Sequence, residues 1–416
     1  CTNGVPVDDH DREVQSGTLA KLKLHADYHQ RFALLLKLYL NNGKPWQAGD
    51  RFYSPQAAVL QRIAEHGAAG FYDGPVAEAI AAAVAGEGGV LSAADLRGYK
   101  ATERDPLQAG FRDATVFTMP PPSSGGIALL QTLQSLEAWE RHSGRTLQSL
   151  QHNSPDYVHV VTEALKHAFA DRAEFLGDTD FVDVPVQRLL QLDYAKQQAA
   201  AIQLQQTQPS EAYGRFFLQN DAGTSHFSVL DAAGNAVACT ETINLTFGSF
   251  VVVPEWGILL NNEMDDFAAN PGKPNAFGLL QSAANSVQPG KRPLSSMTPT
   301  LLIRQGKAIR AVGASGGPRI ITATLQNLLN QHVWGQSPSA AVAAARFHHQ
   351  WAPNELLLEP TLHASLADEL KKRGHTVRKS TGLAATQGAA AGSGGILQGG
   401  SDPRKNGQPD GFNLEK

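Results

Sequence analysis

Thr224, Thr242 and Asn244 stand at a spacing that can put two hydroxyls and a carboxamide on one face of a β-hairpin. Residues 224–230 alternate, residues 231–235 make a turn containing Gly234, and residues 236–242 form a second extended run. A symmetric register about Ala233 sets Thr224 directly opposite Thr242, with Cβ atoms about 5 Å apart. Asn244 lies two residues further on and points to the same face. The hairpin therefore brings two threonine hydroxyls and a carboxamide together. Threonines also pair across strands on propensity alone, so the pair by itself leaves a structural reading open.

The elements that must position these groups follow from the rest of the pattern. Ser54-Pro55 predicts a helix through His66 stopped by Gly67, and a second helix is expected over about 75–85. Ser154-Pro155 opens a clearer one. Val158, Val161, Leu165, Ala168 and Phe175 share a face, and Gly177 closes it. The run Met119–Gly126 breaks regular structure. Residues 203–221 are rich in Gln, Pro, Ser, Asn and Asp and read as a flexible segment. Strand-like pieces follow near 250–253, 257–260, 300–303 and 311–314. Helices are expected after Gly316-Gly317-Pro318, over 337–345 and over 365–373. Residues 382–400 read as a loop or weak strands. The first half is mostly helical and the second opens with strands, which predicts α+β or layered α/β with a junction at 203–223.

Composition bounds the function. The 416 residues are 42% hydrophobic, enough to bury a core, and 18% charged. With 35 Lys+Arg against 39 Asp+Glu, the net charge of −4 argues against nucleic-acid binding. No apolar run approaches the ~18 residues of a membrane span. Cys1 and Cys239 cannot make a disulfide framework or a four-thiolate zinc site. His348-His349 lacks helical ligand spacing and reads as a packed or hydrogen-bonded pair. Gly392–Gly395 lacks the strand and helix that a phosphate loop needs.

Several long runs, in order along nearly the whole chain, resemble the γ-glutamyltransferase family. They are Gly223-Thr224-Ser225-His226-Phe227-Ser228, Thr242 with Asn244, residues 260–267, residues 291–297, and Gly316-Gly317. Met119–Gly126, residues 163–172 and residues 346–351 agree. The resemblance implies a four-layer αββα sandwich of the N-terminal-nucleophile hydrolase type. It also implies a precursor that cuts itself between Gly223 and Thr224. The products would be residues 1–223, ending in a processing segment, and the catalytic small subunit, residues 224–416, which remain together as a heterodimer. The new α-amino group, with a reference pKa of about 7.7–8.0, can serve as base for its own hydroxyl.

By the same resemblance Thr224 attacks the γ-carbonyl of a glutamyl amide, Thr242 hydrogen-bonds the nucleophile, and Gly316 and Gly317 supply backbone N–H groups to the oxyanion. Their place before a helix suits that role, although Gly-Gly-Pro alone is an ordinary turn. Asn244, Glu263 and Asp266 would hold the substrate's α-ammonium group. Alone, Asp265-Asp266 reads as a solvated loop or weak metal site. Ser295 and Ser296 would bind the α-carboxylate. Phe277, within a lid-like stretch over 270–288, stands where Tyr is frequent, and Glu263 where Gln is frequent; Ser225 replaces a second threonine. The substrates implied are glutathione and other γ-glutamyl compounds, with water, amino acids or peptides as acceptors and no cofactor. Periplasmic or secreted location is implied likewise.

The family binds the substrate carboxylate with an arginine early in its large subunit, and the chain begins downstream of that region. It therefore reads as N-terminally incomplete, and neither Arg31 nor Arg51 matches the missing residue. Two other readings stay open. One is a glutaryl-type (cephalosporin) acylase on the same fold, which the ammonium-binding set disfavours. The other is an unprocessed, inactive homologue.

Overall fold

The computed structural model describes residues 3–214, 223–268, 271 and 282–412. Two compact units are present. One comprises residues 1–103 and 243–262, the other residues 104–242 and 263–416. This spatial division differs from the covalent one expected at 223/224, which falls inside the second unit.

In the first unit, the helix Asp9–Leu22 starts on a reciprocal cap between Asp8 and Asp11. The expected helix from Ser54 begins later, at Ala57, without a side-chain cap. It ends at Gly67, whose φ is +61°. The helix Gly74–Gly86 has Pro75 in its first turn, as its sequence predicts. Val59, Val76, Ile80, Val253 and Ile258 form one apolar cluster, and Leu22, Phe32, Leu35, Leu40 and Val252 another.

The second unit opens with strands β1 (Leu107–Phe111) and β2 (Ala114–Thr118), then helix α1 (Gly125–Ser143) and helix α2 (Pro155–Phe175). Ser154 caps α2 by accepting from the Tyr157 N–H, and Pro155 occupies its first turn. Helix α3 (Leu192–Ala201) follows, then the hairpin β3 (Thr224–Leu230) and β4 (Ala236–Thr242). Strands β5 (Thr300–Arg304) and β6 (Lys307–Ser315), helix α4 (Arg319–His332), and strands β7 (Ala385–Ala391) and β8 (Leu397–Ser401) complete the frame.

Six strands make one antiparallel sheet in the order β8-β7-β6-β5-β2-β1. Helices α1, α2 and α4 cover one face through Leu129, Leu133, Val158, Leu165, Leu325 and Leu328, which cluster with Leu302 and Val312 of the sheet. The hairpin lies against the other face. Alternation along β6 explains the sidedness: Val312 points to the helices, and Gly313 points to the hairpin. This is the expected α+β class. Within this unit the described residues supply a helix layer, a sheet and a hairpin layer. Phe227, Val229 and Val237 of the hairpin are about half exposed.

Two expectations change. Residues 382–400, expected as a loop or weak strands, hold two full strands of the main sheet. Small side chains there allow close packing: a Cβ at Gly400 would meet the Pro338 backbone at 2.4 Å. The segment from 203, read as flexible, is tied down through its described part. Thr207 and Tyr213 both bond the buried carboxylate of Glu163, and the Trp351 indole donates to the Ser210 carbonyl. Buried polar partners on α2, invisible in a local composition count, outweigh its low hydrophobicity.

Candidate active site

The hairpin register is the one its sequence predicts, with Thr224 directly opposite Thr242. The Thr224 hydroxyl donates to Thr242 Oγ1 at 3.3 Å, and Thr242 Oγ1 donates to the Gly223 carbonyl oxygen at 3.0 Å. Two hydroxyls and the carbonyl preceding Thr224 thus form one short donor chain. Thr224 is 7% exposed, so this chain is screened from bulk water. Further along the same face, His226 Nδ1 lies 2.7 Å from Thr240 Oγ1, and Nε2 lies 3.0 Å from Ser228 Oγ. Burial pushes the imidazole down to about 4, so it is neutral near pH 7.

Sheet register shows where the glycine pair lies relative to this chain of donors. Ser315 pairs with Ala385, and Gln387 pairs with Ser401. The end of β6, the start of β7 and the end of β8 therefore share one end of the sheet. Gly316 and Gly317 leave β6 there, with φ of +130° and +61°. A Cβ at Gly316 would also approach Ala384 Cα to 2.9 Å. Both constraints call for glycine. The turn after β8 leaves from the same end, and its Lys405 reaches Thr224: Nζ donates to the Thr224 carbonyl oxygen at 2.8 Å. The nucleophile candidate and the glycines ahead of α4 thus occupy the same end of the sheet.

The predicted substrate-binding residues of this unit lie on two neighbouring segments. Glu263–Asp266 is a single 3-10 turn. Buried Asn285 joins it to the serine segment, donating from Nδ2 to the Asp266 carbonyl at 2.6 Å and accepting from the Leu294 N–H at 3.0 Å. The two serines differ. Ser295 is partly exposed and its carbonyl is held by Ser124, whose N–H and hydroxyl both donate to it. Ser296 is 2% exposed and its hydroxyl accepts from Arg172 Nη2 at 2.8 Å. Arg172 Nε also donates to Ser124 Oγ at 2.6 Å, so one guanidinium on α2 locks the break at 119–126 to the serine segment.

Asn244 belongs to the first unit. It is buried with φ +67°, and its Nδ2 donates to the Asn262 carbonyl at 3.1 Å. Phe277, and most of the lid-like stretch, lie outside the described residues.

Sequence reasoning missed Asn285, Arg172 as an anchor, and Lys405. Arg172 stood inside a recognised run, but its partners lie 48 and 124 residues away. Lys405 sits in a polar turn with no periodicity to mark it.

Among the described residues, ligand atoms of His159, Glu163 and His375 lie within 4.8 Å of one another. His159 Nδ1 faces His375 Nε2 at 2.7 Å, and His159 Nε2 meets the Gln203 carbonyl at 2.7 Å. Glu163 already accepts from Lys166, Thr207 and Tyr213. The group is accordingly a hydrogen-bonded network in which an ammonium already neutralises the carboxylate. His348 and His349 are the hydrogen-bonded pair expected: His348 faces Thr322 and Gln350, and His349 accepts from the Trp351 N–H.

An antiparallel sheet with helices on one face and the Thr224 hairpin on the other makes an α+β fold of the N-terminal-nucleophile hydrolase type. Cephalosporin acylase from Bacillus halodurans shares it, with a TM-score of 0.81 at 24% identity over 100% of this chain and 73% of that one. The sequence profile of the gamma-glutamyltranspeptidase family matches residues 1–412, and the chain belongs to that family. It is 42% identical to the glutathione hydrolase proenzyme of Escherichia coli over 370 residues, 88% of this chain and 63% of the relative. It is 36% identical to the acylase ACY 1 proenzyme of a Pseudomonas species, over 90% of this chain and 64% of the relative. The chain thus spans less than two thirds of the length of these relatives. No helix among the described residues is long and apolar enough to cross a membrane.

Proposed function

We propose that the chain belongs to a self-processing γ-glutamyltransferase and glutathione hydrolase. The observation that carries this reading is the donor chain from Thr224 through Thr242 to the Gly223 carbonyl. In the precursor the Thr224 oxygen attacks the Gly223 carbonyl carbon. Its proton passes to Thr242, which gives its own to the carbonyl oxygen. Collapse breaks the C–N bond, the nitrogen takes the proton, and an ester remains on Thr224. Water hydrolyses that ester, leaving residues 1–223 and a small subunit that begins at Thr224.

The liberated α-amino group is then the base for the Thr224 hydroxyl. The hydroxyl attacks the γ-carbonyl of a substrate such as glutathione, and the N–H groups of Gly316 and Gly317 receive the oxyanion. The amine leaves with the proton, and the γ-glutamyl ester passes to water or to an acceptor amine. Glu263 and Asp266 are assigned to the α-ammonium group, and Ser295 to the α-carboxylate with Ser296 held behind it by Arg172. The nucleophile, base and oxyanion donors are all protein groups in this scheme. Periplasmic or secreted location accompanies this reading, as does a heterodimer of the two products.

A glutaryl-type acylase is the second reading, favoured only by the likeness to acylases in sequence and fold. Glu263 and Asp266 weigh against it, because two carboxylates suit a cationic group that a glutaryl chain lacks. Intact mass under denaturing conditions tests the first step. Two species divided between Gly223 and Thr224 are expected, and a Thr224→Ala chain remains whole. Processed protein then releases amine from a γ-glutamyl anilide; release from the glutaryl anilide alone transfers the assignment to the acylase, and an uncut, inactive wild type refutes both.

A further inference from the structure

The turn after β8 is pinned more heavily than an exposed connection requires. Asp402, 1% exposed, accepts from Arg346 Nη2 at 2.6 Å, from the Thr386 N–H at 2.8 Å and from Arg404 Nη1 at 3.0 Å. Arg404 is held a second time by Glu359, with Nε 2.6 Å from Oε1. The Lys405 N–H closes the turn on the Asp402 carbonyl at 3.1 Å. All this fixes one side chain on the nucleophile's residue. Lys405 Nζ donates to the Thr224 carbonyl oxygen at 2.8 Å and lies 3.3 Å from Ser225 Oγ.

We propose that Lys405 is a positioning residue that fixes the carbonyl of the N-terminal threonine and, by its charge, holds the adjacent α-amino group in the uncharged form that acts as base. This rests on the self-processing reading above. Cleavage leaves residue 224 as a chain end, and a bond to its carbonyl limits rotation that the lost peptide bond had restrained. Covalent dimensions place that residue's nitrogen no more than about 7 Å from Nζ. A positive charge at that range lowers the proton affinity of an amine by about one pH unit in a half-buried setting.

The surroundings leave this effect largely unopposed. His226 on β3 is neutral near pH 7. Asp402 and Arg404 on the turn engage each other, with Arg346 and Glu359. Glu241 of β4, across from Ser225, is exposed. Lys307 and Arg310 lie along β6, where Lys307 packs on Gly234 at the hairpin's opposite tip. Strand β7 carries no titratable side chain. Burial lowers the proton affinity of Lys405 itself.

The test compares processed wild type, Lys405→Met and Lys405→Arg. Labelling of the Thr224 α-amine by an amine-reactive reagent, read by peptide mass against pH, gives its titration directly and needs no substrate. The pH profile of kcat/KM on a γ-glutamyl anilide gives it independently. For K405M, both midpoints should rise by about one unit, so that activity at pH 6 falls about tenfold more than at pH 9. K405R should keep the wild-type midpoints even if its overall rate drops. Midpoints in K405M matching wild type would overturn the proposal, as would a shift of equal size in K405R. If K405M fails to process, the labelling comparison on K405R and Lys405→Gln decides, Gln being expected to behave as Met. A cleaved wild type without γ-glutamyl turnover refutes the functional reading yet leaves the amine titration to judge Lys405. A wild type never cut refutes both.

Discussion

The imidazole of His226 occupies the space that a side chain at Gly313 would need. A Cβ built there would come within 2.2 Å of His226 Cε1 and 2.4 Å of Nδ1. The hairpin that carries Thr224 is seated on the main sheet through this contact, which sets how deeply its first strand can sit. Gly313→Ala should therefore destabilise the protein by ~1–3 kcal/mol, as overpacking does, and lower activity by displacing the hairpin. His226→Ala should restore part of that loss in the double variant. Urea unfolding of the four proteins measures the coupling; strictly additive effects would mean that the two residues do not share the space.

Thr242 separates geometry from chemistry. Thr242→Val keeps the shape of the side chain and removes the donor to the Gly223 carbonyl. Self-cleavage should slow by roughly 10²-fold, the usual cost of one lost oxyanion-type donor. Thr242→Ser should retain most of the rate. Time courses of intact mass would show this, and equal rates for the valine and serine variants would remove Thr242 from the mechanism.

Buried imidazoles make stability fall on the acid side. His348 is 2% exposed, and burial pushes it down to about 4, against about 6.5 for an ordinary histidine. Between those values the unfolded chain binds more protons than the folded one. The stabilisation is therefore complete above about pH 6.5 and is lost as pH falls towards 4. His348 alone should cost ~2 kcal/mol by pH 5. His226 and His167, each also pushed down to about 4 by burial, act in the same direction. Urea unfolding at pH 7.5 and pH 5 measures the slope. His348→Gln should flatten it, and an unchanged slope would place the acid sensitivity elsewhere.

Local rules made the hairpin readable. Alternation and the turn at Gly234 fixed its register, and Ser154-Pro155 marked the start of α2, because each signal lies within a few residues of its effect. The weaker readings depended on distant partners. Residues 203–214 looked loose because their order comes from Glu163, Arg373 and Trp351. Strands β7 and β8 looked like a loop because Gly and Ala carry little strand propensity, and neighbouring strands supply the pairing. At the candidate site, Thr224, Thr242 and the glycine pair could be found from runs of sequence. Asn285, Arg172 and Lys405 could not, since each acts through a contact 19 to 181 residues away in the chain.

The bond from Thr242 to the Gly223 carbonyl has a consequence for timing. In the uncut chain that hydroxyl is committed to an acceptor inside the same polypeptide. It is free to serve the Thr224 hydroxyl alone, on the self-processing reading, only once residue 223 has left. On the self-processing reading, the precursor's latency then requires no inhibitory segment and no plug over the cleft. The peptide bond that awaits cutting is itself the first occupant of the machinery: the acyl shift frees the base, and hydrolysis of the resulting ester then removes the occupant.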